Sequence, residues 1–383
     1  MAPTRVAQNQ CDLASLPNSR ASPPFKHAQW SADGTCLITA SVTSDIQTFV
    51  VPADLLDEDR DEPLALRSYC TIHSPESVNA VVGFPTFHLQ DHASALVLSS
   101  AREHPIRLNS ALSSNLVASY PLVNEMTEQY ISPHSLAFNA TGTCFVAGSD
   151  SAIAVFDVSR PGQEPLTYSK TGPKNSRDSR WNPTTSMRGL VSALAVEVSS
   201  SILAAGTFTR SVALYSATGQ GDCIGAFSVH GNQADSAIHG AGITQLHWSQ
   251  CGRYLIITER KSNGVMVYDI RKTGQLLSWV EGRCARSNQR LGVDVSSSTS
   301  GRHSGSCEVW AGGVDGRARM WRDPQLQEGA LQPCLEFMAH NDAVTSTIMH
   351  RAGGVLTTTS APDYAGNSKN SNELDPSLKI WTT

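Results

Sequence analysis

The chain has 383 residues, 40% of them hydrophobic and 16% charged, with a formal net charge of −5. No apolar run reaches the ~18 residues that a membrane-spanning helix needs, and the opening MAPTRVAQNQ lacks the apolar core of a secretion signal. Nine scattered cysteines without a C-x-x-C pair argue against a zinc or dithiol site and fit reduced thiols in a nuclear or cytosolic setting.

In chain order, residues 1–24 come before any regular pattern. Seven units of short alternating strands follow, at 25–52, 78–122, 133–164, 190–227, 242–282, 289–337 and 343–383. In the first, Phe25, Ala28 and Trp30 precede an Asp33-Gly34 turn, and Cys36, Ile38 and Ala40 then recur at every second position. The same layout returns around Thr141-Gly142 and Cys251-Gly252. Period-2 alternation on both sides of a Gly-bearing turn signals an antiparallel hairpin, because that turn needs a residue tolerant of positive φ.

A repeat of about 40–50 residues with four short strands per unit predicts an all-β fold, a seven-bladed WD-repeat β-propeller. Such a ring takes roughly 300 residues as one closed unit, so one propeller over 25–383 is expected rather than several domains. The last repeat ends two residues after Trp381. An N-terminal strand within 5–16 is therefore expected to close the ring, with Ser22-Pro23-Pro24 as the step into blade 1.

Four insertions punctuate the repeat: an acidic loop at 57–62, a long basic loop at 164–189, a Ser/Gly-rich stretch at 296–306 and a polar stretch at 361–377. Composition predicts disorder for the last two. WD repeats commonly join a His, a Ser or Thr, a turn Asp and a strand Trp in a structural tetrad, and His340, Ser360, Asp375 and Trp381 can supply one in blade 7.

Charge is unevenly spread. Between residues 165 and 290 there are 14 Lys and Arg against 7 Asp and Glu, so the rest of the chain carries −12. Of the 29 cations 22 are Arg, whose planar fork suits phosphate. The densest stretch, SKTGPKNSRDSRWNPTTSMRG, sets Lys170, Lys174, Arg177 and Arg180 around Trp181, combining charge for phosphates with a flat face for a base. Two further clusters are Arg286, Asn288, Gln289 and Arg290, beside Arg283, and Arg102, His104 and Arg107 in blade 2. A solvated charged surface explains each cluster equally well by spacing alone.

No G-x-x-x-x-G-K-[ST], H-E-x-x-H or G-x-S-x-G motif is present, and Gly219-Gln220-Gly221 is too broken a pattern for a phosphate loop. No catalytic residue, metal, cofactor, small-molecule substrate or membrane partner is expected.

SSAREHPIRL, PHSLAFNATGTCFVAGSDSAIAVFDVSRPGQ, HGAGITQLHWSQCGRYLIITERKSNGVMVYDIR and RSNQRLGVDV, in that order, resemble the telomerase Cajal body protein family of WD-repeat proteins. The resemblance runs from Phe25 to about Trp321, and its most specific elements are 100–106, Arg160-Pro161-Gly162 and Asn288-Gln289-Arg290. It implies a noncatalytic RNA-binding scaffold of a small nuclear RNP. Its partners would be box H/ACA-type guide RNA or telomerase RNA and RNP proteins; its location would be nuclear, including nuclear bodies, with some in the cytoplasm.

Phe25, Arg102, His239, Arg260, Gly313 and Arg290 match family segments. Arg102, His239, Arg260 and Arg290 are thereby candidate RNA contacts, while Phe25 and Gly313 are architectural. His104 stands where the family usually has Asn, Leu108-Asn109 replaces a Trp-Asp strand end, and the basic loop has no close family counterpart. This compact form resembles fungal members linked to pre-mRNA splicing, which leaves open an alternative: a protein-interaction platform that touches no RNA.

Overall fold

Each alternating segment forms antiparallel sheet, and the computed structural model arranges seven such sheets in a ring. It describes residues 3–9, 24–57, 62–172, 182, 184–272, 274–297, 306–363 and 375–383. The innermost strands of blades 1 to 7 are Phe25–Trp30, Val78–Gly83, Ser135–Phe138, Val191–Val196, Ile243–Trp248, Val293–Ser297 and Ala343–Met349. Gly34, Gly142 and Gly252 take the left-handed positions of the first hairpins, with φ of +73°, +74° and +66°. A side chain at Gly34 would also collide with His350, whose Nε2 lies 2.1 Å from where Cβ would be.

Neighbouring blades share apolar layers and hydroxyl bridges. Tyr120, Phe138, Phe145 and Phe156 pack between blades 2 and 3, with Phe145 and Phe156 stacked at 5.0 Å. Serines on inner strands donate to the next blade: Ser135 to the Val191 carbonyl at 2.8 Å, and Ser192 to that of Ile243 at 2.6 Å. These bonds satisfy carbonyls that would otherwise be buried without a partner. Phe25 is 1% exposed and packs edge-on against Phe49.

Ring closure follows the expected route. Thr4–Asn9 pairs antiparallel with Leu378–Thr382, placing Thr4 opposite Thr382 and Arg5 opposite Trp381. Asn9 adds a side-chain clasp, its Oδ1 accepting from the Leu378 amide at 2.8 Å.

Two straps were not foreseen from sequence. Leu64–Leu66 adds in parallel to the closing strand of blade 7, and Gly329–Leu331 adds in parallel to Leu276–Val280 of blade 5. Each covers an outer edge that would otherwise present unpaired backbone groups. The outermost strand of blade 3, Thr167–Lys170, lies inside the stretch read as a basic loop, so Lys170 is a strand residue. The acidic loop, the Ser/Gly stretch and the polar stretch fall mainly on 58–61, 298–305 and 364–374, outside the described residues.

The blade 7 tetrad forms with one member changed. His340 bonds Thr358 Oγ1 at 2.7 Å through Nε2 and Ser377 Oγ at 3.1 Å through Nδ1, while Trp381 Nε1 donates to Thr358 Oγ1 at 2.9 Å. Thr358 therefore does what was expected of Ser360. The two share a strand face because side chains alternate with period 2, and the His and Trp reach the earlier one. Ser360 instead ties down the loop, accepting from the Ser377 amide at 3.0 Å and donating to the Asp375 carbonyl.

Burial pushes the Asp375 carboxyl up. That push is outweighed by His340 at 3.6 Å, Lys379 at 2.6 Å and Ser377 at 2.6 Å, which together hold it well below the usual carboxylate range. Because its folded pKa is depressed, its stabilisation is complete above the unfolded value and drains as pH falls below about 4. Melting curves from pH 6 to pH 3 should show Asp375→Asn with a lower melting temperature at pH 6 and a shallower loss on acidification. An identical pH slope for both proteins would contradict this.

Candidate nucleic-acid interface

Strand order decides which connections share an end of the ring. In a four-stranded up-down blade, the turn between the second and third strands and the link from the outermost strand to the next blade lie at one end. The other two turns lie at the opposite end. Arg102 and His104, Lys170, His239, Arg260, and Arg286 to Arg290 all fall on connections of the first kind, or at a strand end beside one. Hydrogen bonds join several of these loops around the ring: Lys261 amide to Ser287 carbonyl at 3.0 Å, Arg283 amide to Asn263 carbonyl at 2.9 Å, and Asn263 amide to Ile238 carbonyl at 2.8 Å.

The candidates behave differently from one another. Lys170, Arg286 and Asn288 are exposed, as are Arg188 and Lys261 on the same end. Arg102 is 68% exposed with Glu103 only 3.3 Å away, so its charge is partly offset, and His104 Nδ1 donates back to the Arg102 carbonyl at 2.7 Å. Arg107 lies half-buried on a blade 2 strand, in a cleft with His73, Asn109 and Leu116, away from the basic sector. His239 is exposed in a left-handed turn (φ 58°) that closes the single helical turn Asp235–Ile238. Lys174, Arg177, Arg180 and Trp181 lie outside the described residues.

Two candidates serve the ring directly. The Arg260 guanidinium lies over the Phe208 ring at 4.5 Å while its Nε donates to the Ala241 carbonyl at 2.9 Å, joining blades 4 and 5. Gln289 Nε2 donates to the Pro362 carbonyl at 2.9 Å, and Ser287 donates to Asp363 at 2.9 Å, clasping this connection to blade 7. At Gly313 a Cβ would sit 2.4 Å from Asp315 Oδ1 and 2.6 Å from the Arg283 carbonyl.

The linear basic sector does not map onto one surface. Arg253, Arg271 and Lys272 lie on connections of the opposite end, and Arg271 is spent on Asp269 at 2.6 Å. Arg210 is locked inside by Glu259 at 2.6 Å and by Asp235. Buried Arg283 gives Nη2 to the Leu291 carbonyl at 2.5 Å. Arg290 does not join Arg286 on the surface either; it lines the axial channel with residues of blades 1 to 5. What remains at the candidate end is an open arc of cations from blade 3 to blade 6. Their side chains make no hydrogen bond or ion pair among the described residues.

No family model matches the chain. It is 27% identical over 307 residues to guanine nucleotide-binding protein negative regulator 1 of Schizosaccharomyces pombe, covering 79% of this chain and 72% of that one. It is 24% identical over 372 residues to telomerase Cajal body protein 1 of Mus musculus, and 25% over 343 residues to that of Homo sapiens; these cover 95% and 88% of this chain. Over most of its length the chain is similar in sequence to the telomerase Cajal body proteins. It spans 64% and 56% of the length of those mouse and human relatives. Exposed cations lie at both ends of the ring: Arg102, Lys170, Arg188, Lys261 and Arg286 at the inter-blade end, and Arg160, Arg253, Arg271 and Lys272 at the other.

Proposed function

We propose that this chain is a noncatalytic, nuclear RNA-binding scaffold of a small nuclear RNP. It would hold a box H/ACA-type guide RNA or a telomerase RNA and present it to RNP proteins. The observation that carries the reading is the arc of exposed Lys170, Arg188, Lys261 and Arg286, flanked by Arg102, at the end formed by the inter-blade links. Unpaired cations along an open path suit a phosphate backbone, and Asn288 and His239 beside them offer polar groups to base edges. The name of the mouse and human relatives, telomerase Cajal body protein 1, supports this reading. Arg260 and Gln289 act in it mainly by positioning the loops that carry the arc.

Binding of purified protein to labelled small nuclear RNA tests it. Reversing Arg188, Lys261 and Arg286 together to Glu should weaken binding at least a hundredfold, while reversing Arg253, Arg271 and Lys272 at the opposite end should change it less than threefold. Equal losses from the two sets, or no binding by the wild type at low salt, would replace this reading with a platform that contacts proteins only.

A further inference from the structure

The inner strands of blades 1 to 5 line an open channel of about 310 Å3 on the ring axis, and its wall carries Lys26, His27, Gln29, Gln245, His247 and Arg290. Arg290 enters from the link between blades 5 and 6. Burial first, and then the Arg290 charge, depress the proton affinity of Lys26 and His27 on blade 1 and of His247 on blade 5, where Asp294 pulls the other way. Its guanidinium has no protein partner among the described residues, and its Nε is fully enclosed. Gln29 Nε2 and His247 Nε2 are likewise buried without a protein partner.

Lys26 donates one N–H to the Val78 carbonyl at 2.8 Å and makes no other hydrogen bond among the described residues. His134 of blade 3 also feels the Lys26 charge. The acidic neighbour is Asp294, beside His247, and it already accepts from the Met349 amide at 2.7 Å and the Val295 amide at 2.9 Å. Gathering Arg290 and Lys26 on one channel wall with no carboxylate hydrogen-bonded to either among the described residues is costly, and an anion is what would offset the cost.

We propose that the axial channel binds a small, multiply charged phosphate anion, gripped by Arg290 and Lys26 with His27, His247 and Gln29 as further donors. Free polyphosphate and an inositol polyphosphate share this chemistry, and the cavity is of the size of small-ligand pockets. The site is separate from the surface arc, so it does not depend on the RNA reading.

Proton linkage follows from the wall. Burial, then Arg290, His247 and Lys26, push the His27 pKa down to about 3, so the imidazole is neutral at pH 7. A bound phosphate cancels those repulsions and supplies an acceptor for a second imidazole N–H. Binding therefore takes up protons on His27 and His247 and tightens as pH falls.

The full chain, without RNA, can be titrated with tripolyphosphate and with inositol hexakisphosphate at matched ionic strength, following heat and melting temperature. Saturable binding at one site is expected, with a rise of several degrees in melting temperature and higher affinity at pH 6 than at pH 8. Arg290→Gln should weaken it at least tenfold and, without anion, melt no lower than the wild type. Lys26→Met, at an exposed position, should weaken it as well without disturbing the fold. Preference for one probe over the other identifies the source of the phosphate. No saturable binding by the wild type, or unchanged affinity in both variants, overturns the proposal and leaves the RNA reading standing.

Discussion

Removing residues 1–9 should lower the melting temperature more than any point substitution in this protein. The deletion strips Leu378–Thr382 of its outer neighbour and releases the Leu64–Leu66 strap, which is held by that same strand. Ala7, Leu66, Leu378 and Ile380 belong to one buried cluster with Phe25 and Phe49. Re-exposing roughly 200–300 Å2 of that apolar surface costs about 5–7 kcal/mol. It also leaves a flat, apolar strand edge open to pairing with other chains, so aggregation on heating is expected. A synthetic peptide covering residues 1–24, added in trans, should restore part of the lost melting temperature. An unchanged melt for the deleted protein would mean that the ring does not close through this strand.

Arg210→Met is expected to be the most damaging single substitution at a polar site. Arg210 Nε and Nη2 bond both oxygens of Glu259 at 2.6 and 2.7 Å, and Nη1 reaches Asp235 at 3.2 Å. The Glu259 side chain is 0% exposed, and among the described residues the Gly242 amide at 3.2 Å is the one further partner for Oε1. Taking away the guanidinium strands a buried carboxylate, at a cost of about 3–5 kcal/mol. At ~2.1 cal/mol/K of unfolding entropy per residue this amounts to about 4–6 °C.

The sign of the pH dependence makes the cause identifiable. Burial already raises the Glu259 pKa against the pull of Arg210, and without Arg210 it rises further. An acid with a raised folded pKa destabilises the fold once pH exceeds its unfolded value, so the variant's deficit should shrink from pH 7 to pH 5. Glu259→Gln in the Arg210→Met background should recover most of the loss. A deficit that is independent of pH and not recovered would point to lost packing instead.

The architecture was legible because period-2 apolar runs and Gly-bearing turns are local signals, and a closed ring then demands a partner for its last strand. Leu64–Leu66 and Gly329–Leu331 were not legible, since three residues are too few to show alternation. The tetrad was read one strand step out: Thr358 and Ser360 are chemically equivalent on one face, and only the reach of His340 and Trp381 separates them.

Charge was the least legible. Successive connections of a blade go to opposite ends, so cations that cluster along the chain are dealt to both, as Arg260 and Arg271 illustrate. The channel had a signal that went unread. FKHAQW and ITQLHW are innermost strands whose third and fifth positions are His27 and Gln29 in one and Gln245 and His247 in the other, all facing the axial cavity. Polar residues at alternate positions of a strand otherwise built for a core mark the face that lines a channel.

The RNA-bearing role of the inter-blade end is tested most directly by the salt dependence of binding to a labelled small nuclear RNA. Five phosphate contacts, from Arg102, Lys170, Arg188, Lys261 and Arg286, give a slope of log affinity against log salt of about −3 to −4 for single-stranded RNA. The charge-reversed arc should flatten that slope as it lowers the affinity. A slope near zero, or one that the reversal leaves unchanged, would contradict the assignment.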